Sequence, residues 1–135
     1  MIESHNLNLF KSNKSYDSFE YLHVLDRAFS IFRDVYPEMS LRQAALFVKV
    51  AKKEGINHSE LTETLSIPQT SVSRIVLRLA QRITNDNDST EISGLDLIEN
   101  RQDIHAPKKH AVYLTERGQA LRDRLVGCFE CVKDF

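Results

Sequence analysis

The chain has 135 residues with a formal net charge of -1, 41% hydrophobic and 27% charged residues, four Gly and three Pro. This length suits one domain with a real core, and the composition excludes a disordered or fibrous polypeptide. A near-neutral balance excludes coating of nucleic acid by bulk charge, so any anion-binding surface has to be local.

The first residues, MIESHNLNLFKSNKSYD, lack a basic flank followed by an apolar run, and Ala44 to Val48 is the longest uninterrupted apolar run in the chain. Neither a signal peptide nor a membrane span is expected. Two cysteines close to the end provide no disulfide framework and suit a reducing compartment, so the expected location is cytoplasmic.

Residues 15 to 36 place Tyr16, Phe19, Leu22, Leu25, Phe29, Phe32 and Tyr36 at steps of three and four, which predicts an amphipathic helix ended by Pro37. The stripe carries more aromatic surface than one short helix needs, so part of it is expected to face a second subunit. Ser40 with Gln43 predicts a capping box opening a helix through LRQAALFVKVAKKEG, with Ala44, Ala45, Phe47, Val48 and Ala51 buried. Asn57 with Glu60 repeats the device before SELTETL.

In SIPQTSVSRIVLRLAQRI, Pro68 suits the start of a helix and not its interior, so the chain breaks near Ser66 and restarts at about Pro68. Two short helices joined by a tight turn make a helix-turn-helix. Its second helix has an apolar stripe on Val72, Ile75, Val76, Leu79 and Ile83 and an outer face of Thr70, Ser71, Arg74, Arg78 and Arg82. Charge is segregated around it: residues 69 to 82 hold three cations and no acid, whereas 83 to 100 hold five acids and no Lys or Arg. Three cations forgoing all helical ion pairing suggest an anionic partner rather than a merely solvated face.

TNDNDSTEIS reads as a polar loop. GLDLIENRQD and KKHAVYLT alternate as two strands around IHAP, where Pro107 marks the turn, and the residues from Thr115 return to helical spacing through Leu121, Leu125, Cys128, Phe129 and Val132. The expected fold is mainly α with a small β-hairpin wing: a winged helix-turn-helix core flanked by terminal helices. Its parts are an N-terminal arm and helix at 1–36, the core at 40–118 with an acidic segment at 83–93, and a C-terminal helix at 115–135.

The second helix of a helix-turn-helix lies in the major groove, its first residues meeting base edges and later ones the backbone. Gln69, Thr70, Ser71 and Ser73 supply short donors and acceptors. Arg74 offers a planar fork for guanine or phosphate, and Arg78 holds phosphate. Arg101, Lys108 and Lys109 form a basic wing tip suited to the minor groove or the neighbouring backbone, with His105 and His110 nearby.

The segment from Met39 to Leu125 resembles the multiple-antibiotic-resistance regulator (MarR) family of winged helix proteins. The resemblance rests on SLRQAALFVKVAKKEG, HSELTETLSIPQTSVSRIVLRL, GLDLIENRQD and AVYLTERGQAL, and in particular on Gly94, Leu95, Asp103, Leu114, Thr115 and Gly118. It implies a homodimeric regulator, typically a repressor, with the N-terminal (1–36) and C-terminal (115–135) helices as dimerisation helices, that binds a pseudo-palindrome in double-stranded DNA and responds to a small-molecule effector. The wing departs from the family pattern at Ala106, Pro107 and Lys108, where a family member usually has Asp-Arg-Arg, and residues 83 to 93 are an insertion.

Cys128 and Cys131 lie at a helical spacing that suits packing in the terminal helix, with oxidant sensing as the minor alternative. A single CxxC makes neither a zinc site nor, without a strand and turn before it, a redox site. His5, His23, His58, His105 and His110 show no ligand spacing. No nucleophile, paired-carboxylate or phosphate-loop signature occurs, so neither an enzyme nor a cofactor is expected. The alternative function is a protein-protein adaptor, such as an anti-repressor or a replication or segregation accessory, docking through the acidic insertion.

Overall fold

The computed structural model describes residues 18–102, 104–106 and 109–133, the side chains of 131–133 excepted. Tyr16 and the rest of the N-terminal arm, Asp103, Pro107, Lys108 and the side chains of Cys131 and Val132 lie outside the described residues. The elements run α1 (Ser18–Val35), α2 (Leu41–Lys52), β1 (Ile56–Asn57), α3 (His58–Leu65), α4 (Gln69–Leu79), β2 (Arg82–Asp86), β3 (Ser89–Ser93), β4 (Ile98–Gln102), β5 (His110–Leu114) and α5 (Glu116–Lys133). Among the described residues no helix is long and apolar enough to cross a membrane.

Both expected capping boxes form. The Ser40 and Asn57 side chains accept from the backbone N–H groups of Gln43 and Glu60, whose own side chains reach back to the cap backbones. Each closes orphan donors at a helix start and fixes where the chain turns. Between α3 and α4 the chain breaks at Ser66, in the left-handed region at φ 54°, and Pro68 caps α4 at φ −62°. This is the tight turn of a helix-turn-helix.

The core is built from α1 to α5 and the sheet β1-β5-β4, with Leu46, Phe47, Val50, Leu61, Val72, Leu79, Leu97, Ile98 and Val112 almost fully buried. Phe32 of α1 meets Phe47 of α2 edge to face, with ring centroids 6.1 Å apart. The two-residue strand β1 carries no periodic signal. It exists because Ile56 and Asn57 pair antiparallel with Val112 and Ala111 of the wing.

Several expectations need correction. In α2, Leu46 and Val50 are buried and Val48 is exposed, because the helix turns a face including Ala44, Phe47 and Val50 to the core. In α1 the core-facing residues are Val24, Ile31 and Phe32. Of the described residues of the expected stripe, Phe32 is buried, Tyr36 is half-buried, and Phe19, Leu22, Leu25 and Phe29 lie on a separate exposed face. The first wing strand is shorter than GLDLIENRQD, since Gly94 and Asp96 take positive φ and paired geometry begins at Ile98. On α5, Leu121 and Cys128 are buried, Leu125 is half-buried and Phe129 is exposed.

The largest correction concerns residues 83 to 93. They form a second β-hairpin, β2 against β3, in register from Arg82 opposite Ser93 to Asp86 opposite Ser89, with Asn87 and Asp88 at the turn. A composition rich in Asp, Asn and Ser concealed the alternation that places Ile83 opposite Ile92 and Thr84 opposite Glu91. Consequently α4 ends at Leu79, and Arg82 and Ile83 stand on a strand rather than extending the helix.

Candidate nucleic-acid interface

Helix α4 buries Val72, Ile75, Val76 and Leu79, leaving Gln69, Thr70, Arg74 and Arg78 exposed and Ser71 and Ser73 half-buried. The side-chain charge on this outer face is wholly positive, and among the described residues no carboxylate pairs with Arg74 or Arg78. The helix start is also open. Whereas Ser40, Asn57 and Thr115 cap α2, α3 and α5 with side-chain oxygens, Pro68 has no side-chain acceptor to give to α4. The Ser71 and Val72 N–H groups bond the Pro68 carbonyl, and the N–H groups of Gln69 and Thr70 precede the first residues able to bond within the helix. The positive end of a helix without a side-chain cap, followed by short polar side chains and arginines, suits an anionic group such as a phosphodiester.

The Arg78 guanidinium lies over the Tyr36 ring, 5.6 Å from its centroid. Tyr36 thereby links the end of α1 to the outer face of α4 and restrains Arg78 without taking its charge. Sequence reasoning placed Tyr36 on the subunit-facing stripe and missed this role, since a contact between residues so far apart in the chain leaves no local signal.

On the wing, Arg101 of β4 is exposed but engaged. Its guanidinium donates to Glu99 Oε2 at 3.1 Å and covers the Tyr113 ring at 4.2 Å. The hydrogen bond with Glu99 holds the Arg101 pKa above the ordinary guanidinium value. Lys109 is exposed just before β5, while Lys108 lies outside the described residues. Behind the tip, His58 Nε2 donates to Asn100 Oδ1 at 3.0 Å, and Asn100 Nδ2 donates to His110 Nδ1 at 3.2 Å. This relay ties the first turn of α3 to both wing strands, so the two histidines have structural work in positioning the wing. Among the described residues no group of three or more His, Cys, Asp or Glu is arranged to hold a metal.

The base of the wing is bolted to α4 and α5 through one set of backbone bonds. Leu95 N–H donates to Arg78 O at 3.0 Å, Leu97 N–H to Leu79 O at 2.8 Å and Thr115 N–H to Leu97 O at 3.1 Å. The Thr115 hydroxyl donates to Asp96 O at 2.6 Å and accepts from Gly118 N–H at 3.0 Å. A Cβ on Gly94 would stand 1.8 Å from Ala80 O, and one on Gly118 2.0 Å from Leu97 O. The Gly-Leu and Leu-Thr-x-x-Gly signatures are therefore the residues that let α4, the wing base and α5 meet at backbone distance.

No protein-family model matches the sequence, and no curated protein is similar to it. Solved structures do match. The MepR–DNA complex of S. aureus superposes with a TM-score of 0.61 at 15% identity, covering 86% of this chain and 81% of that one. Regulator Tm0710 of Thermotoga maritima gives 0.61 at 15% identity over 82% of this chain and 68% of its own. MarR itself gives 0.54 at 17% identity over 82% and 73%. This chain has the MarR fold. Across such neighbours it spans between 59% and 83% of their lengths. Helix α4 is the second helix of this chain's helix-turn-helix, and β4-β5 is the hairpin that follows it before α5.

Proposed function

We propose that the chain is a sequence-specific, double-stranded-DNA-binding transcription regulator acting as a homodimer on a pseudo-palindromic operator, with repression by promoter occlusion as its outcome. The observation that carries this reading is the outer face of α4: an uncapped helix start followed by Gln69, Thr70, Ser71, Ser73, Arg74 and Arg78, without an acid, on the projecting helix of a helix-turn-helix. Gln69 to Arg74 read base edges, Arg78 clamps phosphate from its seat on Tyr36, and Arg101, Lys108 and Lys109 hold the backbone beside the wing. That one neighbour of this fold is a complex with DNA supports the reading.

The dimer follows from unsatisfied surface. Phe19, Leu22, Leu25 and Phe29 on α1 and Val126 and Phe129 on α5 are all exposed, Phe19 at 81%, on two helices that pack together. An apolar patch of this kind on terminal helices marks an interface. Two-fold pairing then demands an inverted repeat with half-sites about one helical turn, roughly 34–36 Å, apart. A neighbour whose DNA binding is regulated by 6-hydroxynicotinic acid supports a small-molecule effector for this chain too. The β2-β3 hairpin leaves from the C-terminal end of α4, about 16 Å along the helix axis from Gln69.

Selection from a random duplex library, with affinity followed against salt, tests the reading. The expected result is an enriched inverted repeat with a steep salt slope that becomes shallower by about one in Arg78→Ala. Retention of no sequence, with no salt-dependent binding, would refute it.

A further inference from the structure

The β2-β3 hairpin is out of keeping with the rest of the molecule. Every residue of β2 and β3 is exposed. These two strands pair only with each other, and the wing sheet is separate. An isolated two-stranded ribbon is marginal in water, because it has no face against which to bury side chains. The only apolar cross-strand pair, Ile83 opposite Ile92, remains 58% and 66% exposed.

The register divides the ribbon into two chemically different faces. Ile83, Ile92, Asn85 and Thr90 lie on one, the last two joined by a hydrogen bond from Thr90 Oγ1 to Asn85 Oδ1 at 3.1 Å. Thr84, Glu91, Asp86 and Ser89 lie on the other, and Asp88 sits at the turn. Arg82 is the single cation, at the base, and no other Lys or Arg occurs before Arg101. Both outer edges of the ribbon expose unpaired backbone donors and acceptors, which is a template for strand addition. A second copy of the ribbon is the wrong occupant, since each copy carries Asp86, Asp88 and Glu91 against the single cation Arg82 and two such ribbons repel. The same charge that disfavours self-pairing selects a partner of opposite sign.

We propose that the β2-β3 hairpin is a docking site for a basic protein partner, which adds an extended strand of alternating apolar and Lys or Arg residues to the ribbon edge. Its apolar side chains extend the Ile83-Ile92 face, and its cations face Asp86 and Glu91. Main-chain hydrogen bonds supply the attachment and the two-faced register supplies the selectivity. This inference goes beyond the DNA-binding reading and does not depend on it.

The test uses the full-length chain and a fluorescent ten-residue peptide of alternating Lys and Val, titrated by anisotropy. One control replaces Lys with Glu, and a second has the same composition with five Lys preceding five Val. The alternating basic peptide should bind at least about tenfold more tightly than either control and should slow amide exchange within residues 82–93. Ile83→Thr/Ile92→Thr and Asp86→Asn/Asp88→Asn/Glu91→Gln should each weaken it at least about tenfold while leaving thermal melting and DNA affinity unchanged, since none of these side chains is buried. No binding of the peptide, equal binding of the block-ordered peptide, or undiminished binding by the two variants would overturn the proposal. Dissociation of the dimer by the isoleucine variant would assign the surface to a second copy and would overturn it as well. Loss of the DNA reading would leave the peptide result standing, so the two fail separately.

Discussion

Replacing Thr115 with Val tests how the wing base is joined to the terminal helix. The substitution is nearly isosteric and removes one oxygen that makes two bonds, donating to Asp96 O at 2.6 Å and accepting from Gly118 N–H at 3.0 Å. Losing a helix N-cap acceptor costs about 1 kcal/mol. Leaving the carbonyl of half-buried Asp96 without its donor costs roughly another 1–2 kcal/mol, because a satisfied acceptor becomes a partly desolvated orphan. The expected loss is therefore about 2–3 kcal/mol, which for a chain of this size lowers the melting temperature by roughly 6–10 °C. Thr115→Ser keeps the oxygen and should stay within about 1 kcal/mol of wild type. Urea and thermal melts at one fixed protein concentration measure both, so that oligomerisation does not enter the comparison. If Thr115→Val melts with wild type, or Thr115→Ser falls as far as Thr115→Val, the hydroxyl is not what joins Asp96 to α5 and the reasoning fails.

Arg74→Ala should cost about 1–3 kcal/mol on the selected operator and relax preference at one base position; equal loss on every duplex in a competition assay would make Arg74 a phosphate contact instead. Phe29→Asp with Phe129→Asp removes exposed apolar surface from both terminal helices without opening the core, and sedimentation should show dimerisation at least about a thousandfold weaker. An unchanged dimer would place the interface elsewhere. Gly94→Ala, at φ +90° and facing Ala80 O, should destabilise by more than about 2 kcal/mol in a denaturant melt. Glu60 is held below the ordinary carboxylate pKa, first by its hydrogen bond with Lys53 and then by the Asn57 backbone. Because the folded-state pKa is the lower one, its contribution is complete above the unfolded value of about 4.3 and disappears as pH falls through the folded value. Stability of Glu60→Gln measured across that range should therefore lack this acid-side decline.

Much of the molecule was legible because its signals are local. Capping boxes at Ser40 and Asn57, the break before Pro68 and the stripe from Val72 to Leu79 are written within a few residues of where they act, and each appears where expected. The acid-free outer face of α4 belongs to the same class, since a helix period alone sets Thr70, Arg74 and Arg78 opposite the buried stripe. Composition misled where two states share it: Asp, Asn and Ser serve a loop or a solvated hairpin equally well, and only the pairing of Ile83 with Ile92 distinguishes them.

By itself, then, the sequence determined which segments are helical, where the helix-turn-helix turns, and which side of α4 is left exposed, all through backbone capping and side-chain period. Tertiary structure alone decided what depends on distant partners. It turned Val24, Ile31 and Phe32 of α1 inward and left Phe19 and Phe29 outside. It seated Arg78 on Tyr36 and Arg101 on Tyr113, and made a strand of Ile56–Asn57 from the available edge of β5. It also gave the glycines at 94 and 118 their reason, because the carbonyls they approach, those of Ala80 and Leu97, come close only when α4, the wing and α5 are assembled.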